Sequence, residues 1–148
     1  MTSQRFPSIL WALLITATAA QSENWPCFRG PTRQGVSTET GLPVHWSATA
    51  NVAWKTPIPG DAWSSPIVWG DRVFVTTATE KGASCRVLCL NRADGKILWD
   101  KEVFRQVPGH KGDRNSHATP TPCTDGERVY GVFGDGSFVA LDFEGKIA

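Results

Sequence analysis

No stretch of this chain beyond its first twenty residues sustains an amphipathic helical pattern. With 14 Gly and 10 Pro in 148 residues, long helices are disfavoured and an all-β reading leads. An excess of charge is also missing. Fifteen basic residues stand against fourteen acidic ones, and setting aside residues 1–20 removes only Arg5, which leaves the two signs equal. That excludes the electrostatic footprint of a nucleic-acid or anionic-membrane binder, so no nucleic-acid partner is expected. No two of the four cysteines are adjacent, there is no Cys-x-x-Cys-His for a haem, and their spacing with the three His suggests no zinc site. No carboxylates cluster either: Asp61, Asp71, Asp94, Asp125 and Asp135 fall at turn positions, where Asp is favoured for structural reasons.

What is present begins with an export signal over residues 1–20. Arg5 supplies a short positive region, Ile9-Leu10-Trp11-Ala12-Leu13-Leu14-Ile15 an apolar core, and Ala17-Thr18-Ala19 a small-x-small cleavage pattern, with Ala20 an equally good end. The apolar run is well short of the ~20 residues a transmembrane helix needs. The mature chain is therefore expected to be soluble, without a transmembrane anchor, and periplasmic or extracellular. There Cys27, Cys85, Cys89 and Cys123 permit disulfides in three connectivities. If Cys85 and Cys89 share a strand, their Cα atoms lie about 13 Å apart at ~3.3 Å per residue, too far for a bridge.

The chain is organised around Val87-Leu88-Cys89-Leu90-Asn91-Arg92-Ala93-Asp94-Gly95-Lys96-Ile97-Leu98-Trp99: an apolar strand, an Asp-Gly turn and a second strand. A second copy follows in Val139-Ala140-Leu141-Asp142-Phe143-Glu144-Gly145-Lys146-Ile147, and the two Gly-Lys-Ile triplets are 50 residues apart. A period of that size, built of short strands, is the signature of a β-propeller blade. Strands are expected over 64–69, 72–77, 86–90 and 96–103 for one complete blade, and over 118–123, 128–133 and 137–141 for most of a second. A fourth strand of that second blade starts after Gly145. Asn51-Val52-Ala53-Trp54-Lys55-Thr56 parallels the strand at Trp99 and reads as an orphan closing strand. Residues 21–50 form an irregular Pro/Gly-rich leader and 51–148 the repeats. The seven Trp are most simply bulky packing between stacked sheets.

Leu90 to Trp99 resembles the tryptophan-docking motif of pyrroloquinoline-quinone (PQQ)-like repeats, with Asn91 and Asp94 in place of the usual Asp and Thr. Leu141-Asp142 and Gly145-Lys146 match it a second time, without the Trp. The leader, with Trp25-Pro26, Phe28-Arg29-Gly30-Pro31 and Gly35-Val36-Ser37, resembles that of secreted bacterial PQQ-like propeller proteins. The resemblance implies an all-β partial propeller of BamB-like or quinoprotein-like kind. It spans non-catalytic scaffolds and quinoprotein dehydrogenases, so it implies fold more firmly than activity.

Two functions follow as expectations. The first is an exported, non-enzymatic binding or scaffold module with a protein or cell-envelope partner and no cofactor. The alternative is the N-terminal part of a PQQ-dependent oxidoreductase, using PQQ and calcium, whose catalytic residues lie on further blades. No catalytic residue or metal ligand is assigned. The longest non-repeat insertion, residues 107–117, joins the outermost strand of one blade to the innermost of the next, on a rim. Its His110, Asp113, Arg114, Asn115 and His117 are the candidates for a polar or anionic ligand, against the plainer reading of a solvated loop. Trp63-Ser64-Ser65 occupies the matching position before the first blade and is expected to pack. Because the repeats stop part-way through the second, both outer faces are expected to be open, and the 148 residues alone to associate rather than form a stable monomer.

Overall fold

The computed structural model describes residues 22–148; the expected export signal lies outside the described residues. β1 (Ile67–Trp69), β2 (Arg72–Thr79), β3 (Ser84–Asn91) and β4 (Ile97–Arg105) form one antiparallel sheet in that order, with a short 3-10 turn, Glu80–Gly82, between β2 and β3. β5 (Cys123–Thr124), β6 (Arg128–Val132) and β7 (Phe138–Asp142) form a second antiparallel sheet, again in chain order. Each sheet is an up-and-down meander, the form of a propeller blade.

The composition of β2 and β3 explains their central position. Both are apolar on both faces, which suits strands packed from two sides. In register, Phe74 opposes Cys89, Thr76 opposes Val87 and Ala78 opposes Cys85 on one face; Val73 opposes Leu90 and Val75 opposes Leu88 on the other. The first face joins Ile67 and meets Val129, Val139 and Leu141 of the second sheet, with Phe133 just after β6, in the main core. Phe74 and Phe133 are fully buried there, each worth about 2–3 kcal/mol in apolar area removed from water. Phe74 packs on Trp99 and on Phe143, with ring centroids 6.0 and 5.2 Å away.

The second face of the first sheet is not open as expected. Val73, Leu88 and Leu90 are buried beneath Trp54 and Ile58. Residues 51–56 do this without forming a strand: among the described residues their backbone finds no sheet partner, and the side chains alone dock. The outer face of the second sheet is open. Phe138, 59% exposed, stacks on Tyr130 at 5.9 Å with Val132 beside them, opposite Phe138 in register.

Three other elements depart from the expected limits. β1 is three residues long, because Pro66 has no N–H for a ladder and Ser65 gives its own N–H to Thr121 Oγ1 (3.0 Å). β5 is two residues long rather than 118–123, since Pro120 and Pro122 interrupt the donors. After Gly145 the second sheet's fourth strand is reduced to a bridge between Leu141 and Ile147. The leader contributes more than expected. Trp25 makes an antiparallel bridge to Val68 of β1 (2.8 and 2.9 Å), and the Pro26 carbonyl accepts from the Thr124 N–H of β5 (2.9 Å). One short segment thus covers the open edges of two sheets.

Candidate functional site

The connection from β4 to β5, residues 106–122, lies at the end of the sheets where the β2–β3 and β6–β7 turns emerge. Gly82 of the first turn abuts the His117 imidazole, and a Cβ at that glycine would collide with the ring. Gly134 of the second turn donates its N–H to the His117 carbonyl (2.9 Å). His117 is therefore half-buried and pinned between both sheets. Beyond it, Ser116 and Thr119 form a closed turn: the Ser116 N–H donates to Thr119 Oγ1 (2.9 Å), whose hydroxyl donates to the Ser116 carbonyl (2.9 Å). The Ser116 hydroxyl accepts from the Ala118 N–H (3.1 Å).

This framework supports a pocket of about 300 Å³ lined by His110, Lys111, Asn115, Ser116, His117 and Thr119. Lys111 Nζ donates to the Asn115 carbonyl (3.0 Å). Of the five sequence candidates, His110, Asn115 and His117 come together here. Asp113 and Arg114 are exposed and do not line the pocket. Sequence reasoning missed Lys111, Ser116 and Thr119; the Ser-x-x-Thr spacing, which favours this kind of local turn, was the available signal. The pocket holds imidazole, ammonium, amide and hydroxyl groups and no carboxylate, a lining suited to a polar or anionic group.

Trp63 does not pack as expected. It is 58% exposed and lines a shallow depression with Phe28, Thr119 and Thr121 at the same rim. A third, largely apolar hollow of about 400 Å³ lies beneath Trp54, between Ile58, Val73, Val75 and Leu90.

The carboxylates are engaged elsewhere. Asp94 accepts from the Lys96 N–H (3.0 Å), which holds its carboxyl below the usual range. Asp125 is pulled down to about 2, first by the Tyr130 hydroxyl (2.6 Å) and then by the N–H groups of Arg128 and Glu127. Asp135 is lowered by the Ser137 hydroxyl, then by the Ser137 N–H, with a smaller contribution from His117. Asp142 accepts from Glu144 and Lys146 N–H groups. Each carboxylate serves its own turn, and among the described residues no three His, Cys, Asp or Glu side chains converge as a metal-binding group.

The opposite end of the sheets is closed by indoles. Trp54 Nε1–H donates to the Arg92 carbonyl (2.7 Å) and Trp99 Nε1–H to the Phe143 carbonyl (2.9 Å). Both acceptors directly follow the Asx residue that begins a turn, Asn91 in one and Asp142 in the other. The rings lie against Gly95 and Gly145, which have φ of +72° and +82°; a Cβ at Gly145 would sit 2.9 Å from the Trp99 ring. A repeated sheet, joined to the next through a tryptophan on a glycine turn, defines a propeller-type repeat protein.

Residues 81–148 match the family model described as "Outer membrane protein assembly factor BamB". Over that stretch the chain is similar to PQQ-like repeats of the BamB-like kind. No curated protein matches the chain. Among the described residues no helix is long and apolar enough to cross a membrane.

Proposed function

We propose that the chain is an exported, non-enzymatic propeller module that holds a protein partner of the cell envelope through its loop rim. The observation that carries this reading is the rim pocket itself. His117 is fixed between two sheets, while His110, Lys111 and Asn115 around it remain exposed, so a rigid framework presents polar side chains to solvent. The absence of carboxylates from the lining suits an acidic side chain or a chain terminus of a partner. The matched family's description, an assembly factor of the outer membrane, supports a protein partner and an envelope location. Commitment of the turn aspartates to backbone N–H groups supports a structural rather than a catalytic role for them.

The experiment is site-specific photocrosslinking in the producing cell, with the crosslinker at position 110 or 115 and, as a control, at 144 on the opposite end. One envelope protein trapped from 110 and 115 but not from 144 is the expected result; equal trapping at both ends, or none from the rim, overturns it. Incubation with PQQ and calcium, followed by dye-linked oxidation of alcohols and sugars, is expected to give no turnover. Robust turnover would replace the scaffold reading with that of a quinoprotein oxidoreductase.

A further inference from the structure

The leader brings two cysteines from opposite ends of the chain to one place. The Thr124 N–H donates to the Pro26 carbonyl (2.9 Å), which sets residues 26 and 124 side by side. Cys27 and Cys123 are each one residue away. The leader bridges β1 at Trp25 and bends at Cys27, just past its bond to β5. Disulfides use Cα separations of about 4.4–6.8 Å, a range open to two residues that each adjoin one backbone hydrogen bond. Cys27 is held in a turn closed by the Gly30 N–H on its carbonyl (2.9 Å), with Gly30 against the Trp25 ring, and its thiol donates to the Gly30 carbonyl (3.2 Å). Cys27 is half-buried and Cys123 exposed, so an oxidant can reach the pair, whereas Cys85 and Cys89 are fully buried in β3.

We propose that Cys27 and Cys123 form a disulfide that ties the leader to the first strand of the second sheet. All four cysteines are free thiols in the structure. Burial raises the Cys123 thiol, and the neighbouring Cys27 raises it further. The oxidant is a small or protein disulfide of the glutathione class. One thiolate attacks it, giving a mixed disulfide and one released thiol. The second cysteine then displaces the remaining half. The two cysteines lose two electrons and two protons, and the oxidant is reduced to two thiols. Such an oxidant is available in the compartment assigned above, but pairing in a glutathione buffer does not depend on export.

The four cysteines fall on four different tryptic peptides. One ends at Arg29; the others are Gly82–Arg86, Val87–Arg92 and Asn115–Arg128. The purified chain is equilibrated with excess oxidised glutathione, alkylated, and digested without reductant. The expected product links the peptide ending at Arg29 to Asn115–Arg128, with Cys85 and Cys89 alkylated only after unfolding. The bond closes a long loop, and thermal unfolding is expected to shift up by about 10 °C over the reduced chain. Cys27→Ser should leave Cys123 as a glutathione adduct and abolish both the link and the shift. Separate glutathione adducts on Cys27 and Cys123 at equilibrium, or a link to Cys85 or Cys89, would overturn the assignment. So would the same exclusive pair formed by the urea-unfolded chain, because native geometry would then not be its cause.

Discussion

At one end of the two sheets, Trp54 and Trp99 lie on glycine turns, Trp69 lies against Gly126, and Arg72 reaches the Phe143 carbonyl and Glu144. At the other, residues 107–115 run exposed between the β4 end and the pinned His117. The first end spends its side chains on joining one sheet to the next. The second turns His110, Lys111 and Asn115 toward solvent around a pocket. The difference is one of neighbours: an indole N–H buried on a carbonyl has no reason to vary its partner, whereas Lys111 and His110 meet mostly water.

The contrast is broken most severely from the sealed end. Trp99→Ala removes a ring from Phe74 and a hydrogen bond from the Phe143 carbonyl, and is expected to cost about 3 kcal/mol in urea denaturation. His110→Ala at the rim should change the same midpoint by no more than about 0.5 kcal/mol; comparable losses at the two sites would show that the ends do not differ in kind. Gly95→Ala, by forcing a Cβ into the left-handed region and against Trp54, is expected to cost at least about 2 kcal/mol. The same change at Gly109, which has no neighbour within 4 Å of a Cβ and no positive φ, should be close to neutral.

The smallest effect is a pH dependence at the sealed end. Asp125 has its folded value lowered to about 2, chiefly by the Tyr130 hydroxyl. A carboxylate lowered on folding contributes stability above its unfolded value, near 3.9, and loses that contribution as pH falls toward about 2. Acid unfolding curves of the wild type and Asp125→Asn should therefore separate above pH 4, draw together as pH falls, and converge only near pH 2. A constant offset from pH 2 to 7 would contradict the Asp125–Tyr130 contact.

Much of this was legible in the chain. Asp94-Gly95 and Gly145 marked turns because few other residues accept their φ, and the apolar content of residues 84–91 marked a strand packed from both sides. The partner of each tryptophan was not legible. Trp99 sits four residues after Gly95 and reads as part of that hairpin, yet its ring closes the turn at Gly145. Sequence spacing reports the repeat but not which copy a side chain crosses to. The shortness of β5 was written in Pro120 and Pro122 and was outweighed by the repeat pattern. His110, Asn115 and His117 converge and Asp113 and Arg114 do not, because the loop's path is set by Gly82 and Gly134, both distant in sequence from the loop's own residues.

The indole-on-glycine joint also orders events in time. Trp54 leaves the ribosome 41 residues before Gly95, and Trp99 leaves 46 before Gly145. At roughly 5–20 residues per second, each indole waits about 2–9 s for the turn it will cover. Neither of these two turns emerges without its cover already made, and each tryptophan is for those seconds an uncovered apolar surface. The same joint that closes a finished pair of sheets leaves a growing chain with one exposed ring per repeat, so the interval between synthesis of the ring and of its turn is when this chain most needs protection from its neighbours.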